Sequence, residues 1–530
     1  MEVGKLVLVL SYLQYGYPLF FLYVIFLSVE RTPQSHEVST SSVKYLPGFG
    51  FLPFQLDTGY IGVGEGEQVQ LFYYFVKSES DPETDPLILW ITGGPGCSSL
   101  EGLTMEFGPL HFDDMEYNGD LPTLSLNNHS WTKVASIIFL DLPVKTGFSY
   151  ATTEKANNTD NLQTGEHAYQ FLRKWLANHS KFLQSPIYIG GDSYSGTTVP
   201  IVVQTISNGN DAKTNPMINL KGYILGNPLT INPDELNYRI PFAHGMGLLS
   251  DELYKVLLSN CRGEYQNIAP ENSACSNSVQ TFNKLCEGVN QEHILEPICD
   301  RVSLKRFRSV GWRTSHYAKL HNLKNSMVLP GVKCLEDWRK LSIHWANDDS
   351  VREALHVRKG TIQHWTRCRG DLSFTYNVKN VVPYHTNLSA KGYRSLIYSG
   401  DHDLTIPFIS TEAWIRSLNY SVIDDWRKWI VNGQVAGYTK TYSNNLTFAT
   451  VKVSYSTLLS LLIIFFNPLL VFQLFFEFLS CIRWIKCEKL YCMPSFSGIR
   501  PCCSSLETFR MFNHAYKMDL LQTTLGFLKV

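Results

Sequence analysis

The sequence predicts an α/β fold, a large domain around a central, mostly parallel sheet with an inserted, largely helical cap. Three observations carry this. Short apolar runs of strand length recur at residues 86–91, 135–140, 186–189, 222–226 and 394–398. Stretches compatible with helix separate them, the alternation that a parallel sheet requires. Between the last two runs, over residues 231–379, the pattern turns helical and irregular, and this segment is the expected cap.

The size and composition suit such a core: 530 residues, 44% hydrophobic and 18% charged. A net charge of −1 provides neither a basic field for nucleic acid nor an acidic, disordered tail. At the N-terminus Lys5 precedes a mostly apolar run over 6–27, which predicts a signal peptide over residues 1–28 and passage through the secretory pathway, to an extracellular or vacuolar site. Six Asn-x-Ser/Thr sequons, at Asn128, Asn157, Asn178, Asn387, Asn419 and Asn445, agree with that route. Seven of the twelve cysteines are dispersed from Cys97 to Cys368 without metal-ligand spacing, so disulfides are expected and no metal site. The other five crowd between Cys481 and Cys503, where the chain has a different character.

The chemistry is organised around Gly191-Asp192-Ser193-Tyr194-Ser195-Gly196, which follows one apolar run and precedes a helix-compatible segment over 197–206. Strand, sharp turn and helix lift the serine clear of the sheet edge, and the small Gly191 and Ser195 let the backbones pass closely. Ser193 is the candidate nucleophile. Upstream, the run at 86–91 ends in Thr92-Gly93-Gly94-Pro95-Gly96-Cys97-Ser98-Ser99, a loop whose unobstructed amides can converge on an oxyanion. It lacks the lysine of a phosphate-binding loop. A half-buried strand is expected over 68–76, and the run at 135–140 leads into the loop 141–150. Downstream, the run at 394–398 closes with Ser399-Gly400-Asp401-His402-Asp403, an acid at a strand end in the chain order serine, acid, histidine. Within the cap, residues 301–324 carry seven Lys/Arg and no acid, an exposed loop open to proteolytic nicking.

These blocks together resemble the plant serine carboxypeptidase-like proteins, an α/β-hydrolase family of peptidases and acyltransferases, over about residues 43–452. The resemblance implies Ser193 as nucleophile, the amides of Gly94 and Tyr194 as oxyanion donors, and Asp403 as the acid that orients a histidine, with Asp401 second in line. In the family's peptidases an asparagine before the double glycine and a glutamate before the serine hold the substrate's terminal carboxylate. Here Thr92 and Asp192 stand there, beside Gly93 and with Glu106 expected nearby, and this is similar to members that transfer an acyl group from a glucose ester. The implied partners are a small-molecule acyl donor and acceptor, or a peptide C-terminus in the peptidase alternative, with no cofactor. The resemblance also implies a bridge from Cys97 to a cap cysteine, for which Cys334 is the expected partner, and a pairing of Cys261 with Cys275.

The family's histidine stands in a glycine-rich block after the strand matching residues 447–452, and at Lys452 the match stops. Beyond Asp403 the only histidine is His514, in a setting unlike that block. His402 adjoins the acid that would have to orient it. Residues 457–480 form an apolar run of membrane-span length, broken by Asn467, Pro468, Gln473 and Glu477. Val453-Ser454 followed by Phe, Leu and Ile also reads as translation across an unspliced intron donor, which makes residues 453–530 a non-matching tail. A non-catalytic binding or membrane-tethered role is the reading from a different class.

Overall fold

Six parallel strands run side by side at the centre of the computed structural model, in the order Ser136–Leu140, Leu87–Ile91, Ile187–Asp192, Leu220–Gly226, Arg394–Gly400 and Leu446–Val451. The structure describes residues 39–113, 119–298, 335–431 and 433–452. The expected signal peptide, the basic loop at 301–324, Cys334, the apolar run at 457–480 and His514 lie outside the described residues. Antiparallel strands extend both sides of the sheet. Val69–Val76, Gly50–Val63 and Ser39–Leu46 follow beyond Ser136–Leu140, and Gln434–Tyr442 and Val422–Val431 beyond Leu446–Val451.

The unbroken apolar runs have a direct cause, because both faces of the sheet are covered. Leu87, Leu89 and Ile91 point into one layer with Trp175, Val199, Val202 and Ile206, which come from helices Asn161–Asn178 and Ser195–Asp211. Trp90, between them, points the other way, with its ring 4.5 Å from Phe107 and 5.8 Å from Trp131. The strand expected to be half-buried, Val69–Val76, is buried at every position. It is third from its edge of the sheet and lies inside both layers, a placement that local alternation does not encode.

Helices Arg239–Gly245, Asp251–Cys261, Ser273–Leu285, Leu335–Asn347 and Asp349–Ala354 occupy the described part of the segment between the strands Leu220–Gly226 and Arg394–Gly400. The first three have a small core of their own, with Ile240, Phe242, Leu257 and Phe282, and Leu404 from the main sheet's exit loop completes it. A Cys261–Cys275 disulfide staples two of these helices. The expected partner of Cys97 is corrected: Cys97 is bonded to Cys368, not Cys334. The cause is backbone pairing, since Ser98 N donates to Arg367 O at 2.8 Å and Arg369 N to Gly96 O at 3.0 Å, which places the two cysteines directly opposite each other.

Candidate active site

Parallel register brings the chemistry together. Asp192 pairs with Gly226, and Gly226 with Tyr398, so two strands end level, Arg394–Gly400 runs two residues further, and their exit loops meet at one edge. Ser193 follows immediately with φ 51°, a left-handed backbone that only a tightly supported turn holds in a serine. Its N–H donates to Gly226 O at 2.9 Å, and its carbonyl accepts from Gly196 N and Leu229 N, both at 2.9 Å. The small neighbours are required. A Cβ on Gly191 would stand 2.6 Å from that of Ser195, and one on Gly93 2.8 Å from that of Ser193 and 2.9 Å from Tyr194 N.

That contact with Gly93 presses the glycine-rich loop against the serine turn. The N–H groups of Gly94 and Tyr194 donate to no other described residue. Unspent amides beside a serine are what a developing oxyanion needs. The loop is anchored from behind by Asp141, which accepts from Ser98 Oγ at 2.6 Å, Ser99 N at 2.9 Å and Phe148 N at 2.9 Å. Burial pushes Asp141 up to about 7 despite those donors. Tyr194 is held by Asn161 Nδ2, 2.7 Å from its hydroxyl.

Thr92, Gly93, Gly94, Asp192, Ser193 and Asp403 all line one cavity of about 170 Å³. Glu106 does not line it; it is buried behind the wall, where it and Asp192 raise Tyr398 electrostatically, secondary to burial. Asp192 accepts from Gly93 N at 3.3 Å. Of the two acids after the strand Arg394–Gly400, Asp403 faces the cavity and Asp401 is turned to its neighbour, 2.6 Å from His402 Nδ1. Asp403 accepts from Asn227 Nδ2 at 2.8 Å through one oxygen and from Thr405 N and Ile406 N, at 2.6 and 3.1 Å, through the other. Burial still pushes it up to about 8. Among the described residues no histidine ring bonds to Asp403 or Ser193.

Sequence reasoning missed four other lining residues, Glu101, Glu292, Arg339 and Arg367, and the bridging Asn227. Asn227 stood in the open as the residue after a strand, and its φ of 40° marks a second tight exit. Glu101 lies two residues past the glycine-rich block, and the other three come from distant segments with no local motif.

A serine on a strand-to-helix turn, free amides beside it and an acid on a later strand end are arranged as in an α/β-hydrolase. The chain belongs to the serine carboxypeptidase family, whose model it matches over residues 47–454. It is 49% identical to serine carboxypeptidase-like 2 of Arabidopsis thaliana over 82% of this chain and 91% of that protein. It is 50% identical to serine carboxypeptidase-like 10 of the same plant over 79% of this chain and 90% of that one. Among solved structures it is similar to Kex1, a prohormone-processing carboxypeptidase from Saccharomyces cerevisiae. The TM-score is 0.63 at 21% identity, over 80% of this chain and 93% of that one, a likeness of fold.

Proposed function

We propose that the chain is a serine carboxypeptidase-like acyltransferase that works through an acyl-enzyme on Ser193 and lacks its general base as written. The serine oxygen attacks the carbonyl carbon of a glucose ester, and the amides of Gly94 and Tyr194 hold the tetrahedral oxyanion. The glucose oxygen leaves with a proton, and an acceptor hydroxyl then takes the acyl group and returns the serine proton. The observation that carries this reading is Asp192. Its carboxylate is turned onto Gly93 N and keeps the oxyanion loop closed, which suits an ester donor with no terminal carboxylate to clamp.

The acid Asp403 is in place, and no histidine after it except His514 exists in the chain. Loss of a triad histidine alone costs about 10⁶-fold in kcat in a model protease, so turnover by the chain as written is expected to be very slow. We read residues 453–530 as translated intron. Sequencing the transcript across the Lys452 codon tests this, and a mature message continuing straight into the tail refutes it. Incubation with a benzoyl glucose ester and an alcohol, against a blocked dipeptide, tests the chemistry. Benzoyl transfer supports the reading, and release of the C-terminal amino acid alone supports the carboxypeptidase alternative. Passage through an oxidising compartment is supported by the two disulfides and by the surface placement of all six sequons.

A further inference from the structure

The cavity that holds Ser193 is also lined by ionic groups that acyl transfer itself does not use. Glu101 is only 3% exposed, yet it is an acid. Arg367 Nη1 donates to both of its oxygens, at 2.9 and 2.8 Å, and Arg339 Nε lies 3.7 Å away. Arg339 is also bonded through Nη2 to Glu292 and lies 3.6 Å from Glu336. Burial works against the charge on Arg339, but Glu101 and Glu292 outweigh it and hold the guanidinium above its ordinary value.

Counting the charges that face the cavity decides what can enter. Among the described residues the lining has two cations, Arg339 and Arg367, and both are committed to carboxylates. It has four acids, Glu101, Asp192, Glu292 and Asp403, and no lysine or histidine. A carboxylate ligand meets no unspent cation there. To reach Arg367 it would have to displace Glu101 and leave that buried acid uncompensated, which is the costly way to break an ion pair. An uncharged ligand faces none of this, and the lining's carboxylates can accept from its hydroxyls.

We propose that Glu101 sets the acceptor specificity of this cavity by neutralising Arg367, so that the site takes an uncharged hydroxyl compound and rejects one bearing a carboxylate. This rests on the acyl-transfer reading of Ser193 and names its acceptor class. The test needs binding alone and is therefore independent of the missing base. Mandelamide and mandelate share a hydroxyl and a ring and differ in one charge, and calorimetry on the full chain measures each. Wild type binds mandelamide about tenfold more tightly than mandelate or better, the scale of a like-charge clash. Glu101→Gln frees Arg367, gains about tenfold for mandelate and leaves mandelamide within about twofold. Should Glu101→Gln fail to fold, Glu292→Gln removes one of the three acids around Arg339 and predicts a smaller gain for mandelate in the same direction.

Mandelate binding to wild type as tightly as mandelamide overturns the proposal. So does a folded Glu101→Gln that still rejects mandelate, or a wild type that binds neither probe. The underlying reading fails separately, by absence of benzoyl transfer from the glucose ester even with imidazole supplying the absent base, while the mandelamide preference stands.

Discussion

At the end of the strand Ile187–Asp192 the backbone does nearly everything: it holds Ser193 at a positive φ, leaves two amides unspent, and admits no atom larger than hydrogen on Gly93 or Gly191. At the end of Arg394–Gly400 the acid is held just as firmly, by two amides of its own loop and by Asn227 from the neighbouring strand exit, but its bonds reach no ring among the described residues. The comparison shows that a nucleophile turn and its acid share one support: Gly226 O and Leu229 N bond Ser193, and Asn227 Nδ2 bonds Asp403. The exit of the strand Leu220–Gly226 therefore fixes both, and their geometry persists without a histidine linking them.

The sharpest way to break that comparison is chemical. A fluorophosphonate probe should label wild-type Ser193 slowly, and imidazole in solution, supplying the absent base, should raise the rate by about tenfold or more. Ser193→Ala should show no adduct by intact mass. A wild-type rate indifferent to imidazole would mean that the serine end is less ready than its geometry implies.

Next in size is the bridge across the mouth of the site. Cys368→Ala removes a link spanning 271 residues of sequence, and a loss of about 2–5 kcal/mol is expected in urea denaturation. Peptide mapping of Cys334→Ala should still recover the Cys97–Cys368 bridge. Smaller again is Gly93→Ala. Its new methyl would sit 2.7 Å from Asp192 O and 2.8 Å from Ser193 Cβ, so overpacking should cost about 1–3 kcal/mol while also slowing phosphonate labelling.

The mildest effect is a dependence on pH. Burial raises Asp141 to about 7, and Glu235 and Asp403 to about 8. From pH 6.5 to 8 the folded chain therefore keeps protons that these acids have already released in the unfolded chain. Stability falls as pH rises through that window, by at most about 1.4 kcal/mol per pH unit for each group. His293 and His385, lowered by burial to about 4 and 3, contribute their slope only below about pH 6.5. Asp403→Asn should flatten the melting-temperature slope between pH 6.5 and 8 relative to wild type.

Much of the serine end was legible in the residues. Its chemistry is compressed into two short segments, each a strand followed by glycines, and local sterics dictate such turns. Residue order also offered an acid downstream of the serine, while the choice between Asp401 and Asp403 rested on resemblance. Two readings did not survive. Local alternation underestimated the burial of Val69–Val76, because the number of strands outside it is not a local quantity. The partner of Cys97 was misassigned, because sequence spacing says nothing about which cap segment lies alongside Gly96.

By itself the sequence determined the alternating strands and helices, the Ser193 turn and its glycine-rich loop, since each depends on contacts between near neighbours in the chain. Only the tertiary structure decided that Cys368 opposes Cys97, that Asn227 ties down Asp403, and that Glu101 pairs with Arg367 and Arg339 in the cavity lining. Those contacts join residues far apart in sequence, and their partners are chosen by the register of parallel strands and the packing of the inserted helices, which no local pattern records.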